Sequence, residues 1–296
     1  MPINTVAILS PGDMGHAVGR LLREHELRVV TCLTGRSERT RALAQQAGIA
    51  DVPDMNDLIQ QSDLVMSITV SEVAPQVCRQ VADAIRDTRR DILFADCNAI
   101  APAKAKEMEP IISDAGGRFV DVSIIGGPPH NGSSPRFYTS GERATDFEEM
   151  AGFGLDVRTI GPNIGQASGI KMCYAAMTKG TTALHTELLM AAELMGLSQP
   201  LREEFQSGQG AVYQRMERGI PGMPAKSRRW VSEMQEIEAT FGQLGMTPHI
   251  LEGVADMYRL VGDTPLGEET PESRDRERPL EETIRLLAEA LKQPGA

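Results

Sequence analysis

Short apolar runs and longer amphipathic stretches alternate along the first half of the chain. Residues 5–9, 28–33, 64–69, 91–95 and 118–122 are apolar runs of strand length. Residues 15–25 and 37–47 read as helices, and in the first of them Ala17, Val18, Leu21 and Leu22 share one side. Residues 73–86 and 102–115 fill the later gaps between strands. Runs of about 4–8 residues alternating with helices of about 10–15 predict βαβ units on a parallel sheet. Right-handed crossovers make it an α/β, Rossmann-type, doubly wound sheet. Residues 136–140 and 155–160 are expected to add strands at its end.

The pattern changes at Gly161-Pro162-Asn163. Beyond it β-branched residues thin out, and Ala, Leu, Met and Glu dominate. Residues 164–195 form one nearly continuous helical pattern, about 48 Å long at 1.5 Å per residue. A helix of that length predicts an element shared between domains or subunits. The chain therefore divides into a sheet domain, 1–163, and an all-α C-terminal domain, 164–296. Residues 263–279 carry six acids, three arginines and three prolines, the composition of an exposed linker. Leu280, Ile284, Leu287 and Leu291 then make one apolar stripe on a closing helix.

Composition narrows the function. The 296 residues suit about two domains. A net charge of −11 with 4% aromatics argues against nucleic-acid binding. Cys32, Cys78, Cys97 and Cys173 are scattered, with no Cys-x-x-Cys pair. That pattern predicts neither a disulfide scaffold nor a metal site, and it fits a reducing compartment. The chain runs directly into an apolar strand, and no stretch approaches ~18 apolar residues. The expectation is a cytoplasmic protein with no membrane span.

The first strand ends in Ser10-Pro11-Gly12-Asp13-Met14-Gly15. The dinucleotide fingerprint is Gly-x-Gly-x-x-Gly between a strand and a helix. Gly12 and Gly15 stand at its second and third glycines, and Ser10 replaces the first. The second glycine lets backbone approach the pyrophosphate, and the third lets helix pack on strand. The helix amides then receive the negative charge. This places a dinucleotide in the sheet domain. The second strand is followed by Thr34-Gly35-Arg36-Ser37, with no acid between Leu27 and Ser37 to meet a ribose 2′-hydroxyl. Arg36 is placed to meet a 2′-phosphate, with Ser37 as a second donor, so NADP is expected over NAD. Thr69 and Val70 end the 64–69 strand, where such folds bind ligands. Asn98 either faces the nicotinamide ribose or holds a turn.

Three segments carry a family resemblance. Asp121-Val122-Ser123-Ile124-Ile125-Gly126-Gly127 resembles the Asp-Ala-Pro-Val-Ser-Gly-Gly motif of β-hydroxyacid dehydrogenases, the superfamily of 3-hydroxyisobutyrate and 6-phosphogluconate dehydrogenases. Gly165-Gln166-Ala167-Ser168-Gly169-Ile170-Lys171 resembles its Gly-x-Gly-x-x-x-Lys segment. The loop from Ser10 to Gly15 is similar to its Gly-Leu-Gly-x-Met-Gly. The C-terminal half, with Lys171-Met172-Cys173-Tyr174-Ala175-Ala176 and Arg229-Trp230-Val231-Ser232-Glu233-Met234, resembles a phosphogluconate-dehydrogenase-like branch.

The resemblance implies hydride transfer between a nicotinamide and a β-hydroxy acid or its oxo form. It also implies a homodimer formed through the long helix, with Lys171 as general acid/base. Lys179 is the runner-up for that role, and His185 reads as a core or interface residue. Two departures stand out. The family's substrate-holding serine is Ile125 here, and its asparagine is Ala175. Gly126 and Gly127 still offer amides to an anion, and Ser123 either takes over one polar contact or caps a turn. The expected substrate is consequently a bulkier, less polar analogue of a small hydroxy acid. Two alternatives are an imine reductase on the same scaffold and a non-catalytic dinucleotide sensor. His130 falls in a Pro128–Gly132 loop that is a candidate lid. Glu233 and His249 are too far apart to argue as metal ligands.

Overall fold

A computed structural model of the chain describes residues 2–130 and 134–291. Of the candidate lid, Asn131 and Gly132 lie outside the described residues. Every position of β1 (Thr5–Leu9) is buried, as a central strand covered on both faces requires. Helix α1 (Asp13–Glu24) follows, then β2 (Arg28–Thr31) and α2 (Glu38–Gln46). Next come β3 (Ala50–Asp51), α3 (Met55–Gln61), β4 (Leu64–Ser67), α4 (Ala74–Thr88), β5 (Leu93–Asp96) and α5 (Pro102–Ser113). The region closes with β6 (Arg118–Ile125), β7 (Arg136–Ser140), a 3-10 stretch (Ala144–Phe153) and β8 (Asp156–Gly161).

The eight strands make one sheet in the order β3-β2-β1-β4-β5-β6-β7-β8. All neighbours are parallel except β6 and β7, which run antiparallel. Crossing from β3 back to β4 beside β1 reverses the winding direction, so helices cover both faces. Val6, Ile8, Leu64 and Met66 pack with Val18 and Leu22 of α1 on one face. Ala7, Leu9, Val65 and Phe94 pack with Val77 and Val81 of α4 and Met108 of α5 on the other. The carboxyl ends of β1 and β4 flank the winding reversal, where open α/β sheets take their ligands.

Helix α6 (Gln166–Leu194) runs 29 residues without a break. Gly169 and Gly180 lie inside it and do not interrupt it. The hydroxyls of Thr178, Thr182 and Thr186 bond back to carbonyls in the preceding turn. The chain forms two compact units, Met1–Met172 and Cys173–Ala296, which divide within this helix. The second unit adds α7 (Ser198–Gly208), α8 (Gly210–Gly219), α9 (Ser227–Gln243), α10 (His249–Gly262) and α11 (Leu280–Leu291). It has no strand among the described residues.

One expectation is corrected. The stretch 263–279 is not a plain exposed linker. Thr264, Leu266 and Gly267 are buried in a 3-10 turn, and Arg278 pairs with Glu269 with only 9% of its side chain exposed. Arg228 of α9 donates to the Gly262 carbonyl at 3.1 Å. Glu268 pairs with Arg228 of α9, while Asp263, Asp275, Arg276 and Glu277 remain exposed. Leu280, Ile284 and Leu287 are buried as the stripe predicts, whereas Leu291 in the last turn is exposed.

Candidate active site

The loop after β1 is a tight turn in which the Gly12 amide donates to the Ser10 carbonyl at 2.7 Å. Ser10 holds φ +62, the left-handed region that favours glycine. The backbone shape of the first fingerprint glycine is therefore kept under strain by a serine. Gly15 is needed for packing, because a Cβ there would stand 3.0 Å from the Ser10 carbonyl oxygen and 3.2 Å from Ile8. A Cβ on Gly12 would meet nothing closer than 4.0 Å. Packing does not demand glycine there. It leaves bare the approach to α1, whose N-terminus has no side-chain cap among the described residues and whose first amides have no partner inside the helix. Pro11, Asp13 and Met14 complete the loop. Asp13 would oppose an anion at this end of the helix, but Arg39 draws its carboxylate aside at 2.5 Å. These residues fit a bound pyrophosphate.

After β2, Gly35 turns the chain at φ +73. Arg36 is half-buried, and its guanidinium has no hydrogen bond or ion pair among the described residues. The Ser37 hydroxyl caps α2, accepting from the Thr40 amide at 3.3 Å. That local role competes with the expected donation to a phosphate. Arg39, which no motif in the sequence singles out, is a second cation at this edge.

Asn98 is 2% exposed, and both ends of its amide are engaged. Its oxygen accepts from the Thr69 amide at 2.5 Å and from the Thr69 hydroxyl at 3.0 Å. Its nitrogen donates to the Ser67 hydroxyl at 3.0 Å and to Asp96. Of its two sequence readings, the turn-holding one describes what its side chain does. It ties the ends of β4 and β5 together and fixes Thr69, while Val70 beside it is 45% exposed.

Asp121 does more than mark a motif. Its carboxylate accepts from the Gly165 amide at 2.8 Å, the Ser168 amide at 3.1 Å, the Ser168 hydroxyl at 2.6 Å and the Ser140 hydroxyl at 2.9 Å. Ser140 in turn accepts from the Ala167 amide at 2.9 Å. The first turn of α6 is thus capped from β6 and β7. Lys171, three residues past Ser168, is half-buried there, within electrostatic reach of Asp96 and Cys97 at the end of β5.

Further along the same side of β6, Ser123 is fully buried and its hydroxyl has no hydrogen-bond partner among the described residues. Ile125 is 5% exposed. Gly126 holds φ +133, and Gly127 stands clear of neighbours. Ala175 lies one turn beyond Lys171 on α6 and is 7% exposed.

Lys179, in the second unit, is committed elsewhere. It pairs with Glu233 of α9, which also holds Arg229 at 3.3 Å. Its ammonium lies 5.6 Å from the Trp230 ring centre. Its backbone carbonyl accepts from the Tyr258 hydroxyl at 2.7 Å, and Trp230 meets Tyr258 edge-on. Burial lowers the pKa of Lys179 while Glu233 raises it. His185 is half-buried, and burial lowers its pKa. No group of three or more His, Cys, Asp or Glu among the described residues is arranged to hold a metal. No helix among them is long and apolar enough to cross a membrane.

Residues 5–152 match the NAD binding domain of 6-phosphogluconate dehydrogenase, half of the chain. The chain belongs to the β-hydroxyacid dehydrogenase superfamily. Residues 192–261 match a domain of unknown function, DUF1932. An uncharacterised 28.5 kDa protein of Methanothermus fervidus is 24% identical over 257 residues, covering 86% of this chain and 98% of that one. A conserved protein of unknown function, described as structurally similar to 3-hydroxyacid dehydrogenases, is 26% identical with a TM-score of 0.66, over 88% of this chain and 97% of that one. The fold is also that of Mycobacterium tuberculosis 3-hydroxyisobutyrate dehydrogenase, at 18% identity and TM-score 0.70, over 97% and 99% of the two chains. An imine reductase from Myxococcus stipitatus in complex with NADP+ shares it at 18% identity and TM-score 0.55, over 96% and 99%. Members of the superfamily with this NAD(P)-binding fold are dehydrogenases and reductases.

Proposed function

We infer that the protein is an NADP-dependent oxidoreductase, with Lys171 as general acid/base for a hydroxyl or carbonyl substrate. The observation that carries this reading is the start of α6. Asp121 pins it to the sheet and so holds Lys171 beside the end of β5. When bound, the nicotinamide supplies or accepts the hydride. Taking hydride from a carbinol carbon requires its hydroxyl proton to leave, and reduction requires one to arrive. Lys171 is the group positioned to do both. The bare Gly12 edge and the amides of α1 hold the pyrophosphate, and Thr69 and Val70 line its approach. Gly126 and Gly127, both exposed, face the substrate, with the buried Ser123 hydroxyl behind them on β6 as the further polar group of the site.

Arg36 supports NADP over NAD, because it is a half-buried cation without a protein partner among the described residues, where NAD binders place an acid. NADPH should bind more tightly than NADH in a fluorescence titration. Arg36→Ala should weaken NADPH by ~1.5–3 kcal/mol, the worth of a charge-assisted hydrogen bond, and leave NADH nearly unchanged. Equal affinity for the two cofactors in the wild-type protein would overturn the assignment.

A second reading, imine reduction, is favoured by Ile125 and Ala175. Each is apolar and buried, and the motif resemblance puts a polar, substrate-holding residue at each of these sequence positions. Small hydroxy acids, bulkier ketones and cyclic imines, compared by NADPH absorbance, separate the two. Turnover confined to imines would displace the carbonyl reading. Turnover of none, with NADPH bound, would leave a dinucleotide sensor.

The exposed side of α6 supports a homodimer. Tyr174, Met177 and Leu184 are 44–57% exposed, and their spacing keeps them within one stripe. The four cysteines are free thiols, which supports a reducing, cytoplasmic setting.

A further inference from the structure

Four neighbouring strands set a polar row across one face of the sheet. Ser67 of β4, Asp96 of β5, Asp121 of β6 and Ser140 of β7 are successive register partners. All four are 0% exposed. Strand spacing puts the two aspartates side by side, with backbones about 4.8 Å apart. Two buried carboxylates that close do not both ionise at ordinary cost.

The donors around them decide which one keeps the charge. An ionised carboxylate only accepts. Asp121 meets four donors, two of them backbone amides that cannot turn away. Three of these donors crowd Oδ2, and a proton on Oδ1 would require the Ser168 hydroxyl to turn and accept. So although burial raises the Asp121 carboxyl too, Asp121 is the better held of the two as an anion.

Asp96 has a different environment. Its Oδ1 accepts from the Asn98 amide. Asn98 cannot be turned around, because its own oxygen already takes the Thr69 amide. The second oxygen of Asp96, Oδ2, is buried and has no hydrogen-bond partner among the described residues. Four titratable groups surround it: Cys78 from α4, Cys97 next in the chain, Asp121 from β6 and Lys171 from α6. Burial pushes both thiols up, Cys78 to about 12, so they stay neutral. The charged groups that Asp96 senses are therefore Asp121, which favours its protonation, and Lys171, which opposes it.

We propose that Asp96 is a positioning residue that exchanges the catalytic proton with Lys171. This rests on the reading of Lys171 as the acid/base. In the oxidative direction the substrate O–H bond breaks as the carbonyl forms and hydride leaves the carbon. The proton passes to the neutral Lys171 amine, making an ammonium. An ammonium N–H bond then breaks, and the proton moves to the ionised Asp96 carboxylate at Oδ2. Lys171 is again a neutral amine, and Asp96 is a neutral acid. Reduction runs the same transfers backwards. Burial first, with the charge of Asp121 adding to it, pushes the Asp96 carboxyl up to about 7.

The test uses the full chain with 13C-carboxyl-labelled aspartate. One aspartate signal should titrate near pH 7. It should be absent in Asp96→Asn and move to higher pH in Lys171→Met, where the opposing cation is gone. The pH profile of kcat should carry a limb near pH 7, rising with pH for oxidation and falling for reduction. Asp96→Asn should lose that limb and about tenfold in kcat, less than the ~10²–10⁴ of a group that meets the substrate itself. An Asp96 signal that stays ionised from about pH 5 to about pH 8, or an unchanged limb in Asp96→Asn, overturns the proposal. The wild-type titration stands even if the variant fails to fold. Near-normal turnover in Lys171→Met removes the underlying reading instead, and the Asp96 titration would then persist without a catalytic partner.

Discussion

Replacing Lys171 with methionine should cut turnover by ~10²–10⁴, the usual contribution of a positioned acid/base. Methionine keeps the length and the helix propensity and removes only the ammonium. Cofactor affinity should stay close to wild type, because Lys171 sits on α6 and not on the phosphate loop. A steady-state assay paired with an NADPH titration reads both quantities. Unimpaired kcat would exclude Lys171 as the proton carrier. It would not hand the role simply to Lys179, whose ammonium is paired with Glu233 and 12% exposed.

The largest loss of stability is expected at Asp121. Asp121→Ala removes the acceptor for the Gly165 and Ser168 amides. The two serine hydroxyls can rotate to other partners, but the amides cannot. Each buried orphan donor costs about 1–3 kcal/mol, so the pair costs about 2–6 kcal/mol. Asp121→Asn should lose far less. Its amide oxygen can take the place of Oδ2, and its nitrogen can donate to the Ser168 hydroxyl in place of Oδ1. Urea unfolding of the two variants measures the difference. Equal losses would mean that the negative charge, and not the placement of acceptors, holds the start of α6.

Much of this architecture was legible in the chain. The parallel strands announced themselves because a strand covered on both faces must be apolar throughout, and β1, β4 and β5 are buried at every position. The strands β7 and β8 were placed correctly as additions, but the antiparallel sense of β7 leaves no trace in composition. Two short elements escaped. β3 has two residues, both exposed, and only Leu58 and Ile59 of α3 are buried. Neither offers a period to read. The 3-10 stretch from Ala144 to Phe153 escaped as well, because its buried Ala144, Phe147 and Met150 recur every third residue, a period close to that of an α-helix.

Gly12, Gly15 and Gly126 were legible from their motifs. The need for glycine itself is physical at Gly15, where a Cβ would crowd the Ser10 carbonyl, and at Gly126, which holds φ +133. The roles of Asp96, Ser140 and Ser168 were not legible. Their meaning lies in register across four strands and in a contact to a helix 47 residues away from Asp121, and a linear sequence shows neither. Asn98 was left between two readings because turn-forming asparagines and ligand-facing ones share the same local sequence.

The joint inside α6 also bears on descent. Lys171 belongs to the sheet-bearing unit, while Ala175, one turn later, belongs to the helical one. A gene fusion or recombination at this joint would carry the lysine with the nucleotide-binding half and exchange only the helices beyond it. On the proposed role of Lys171, such an exchange would replace the helical half and leave the proton-handling group in place.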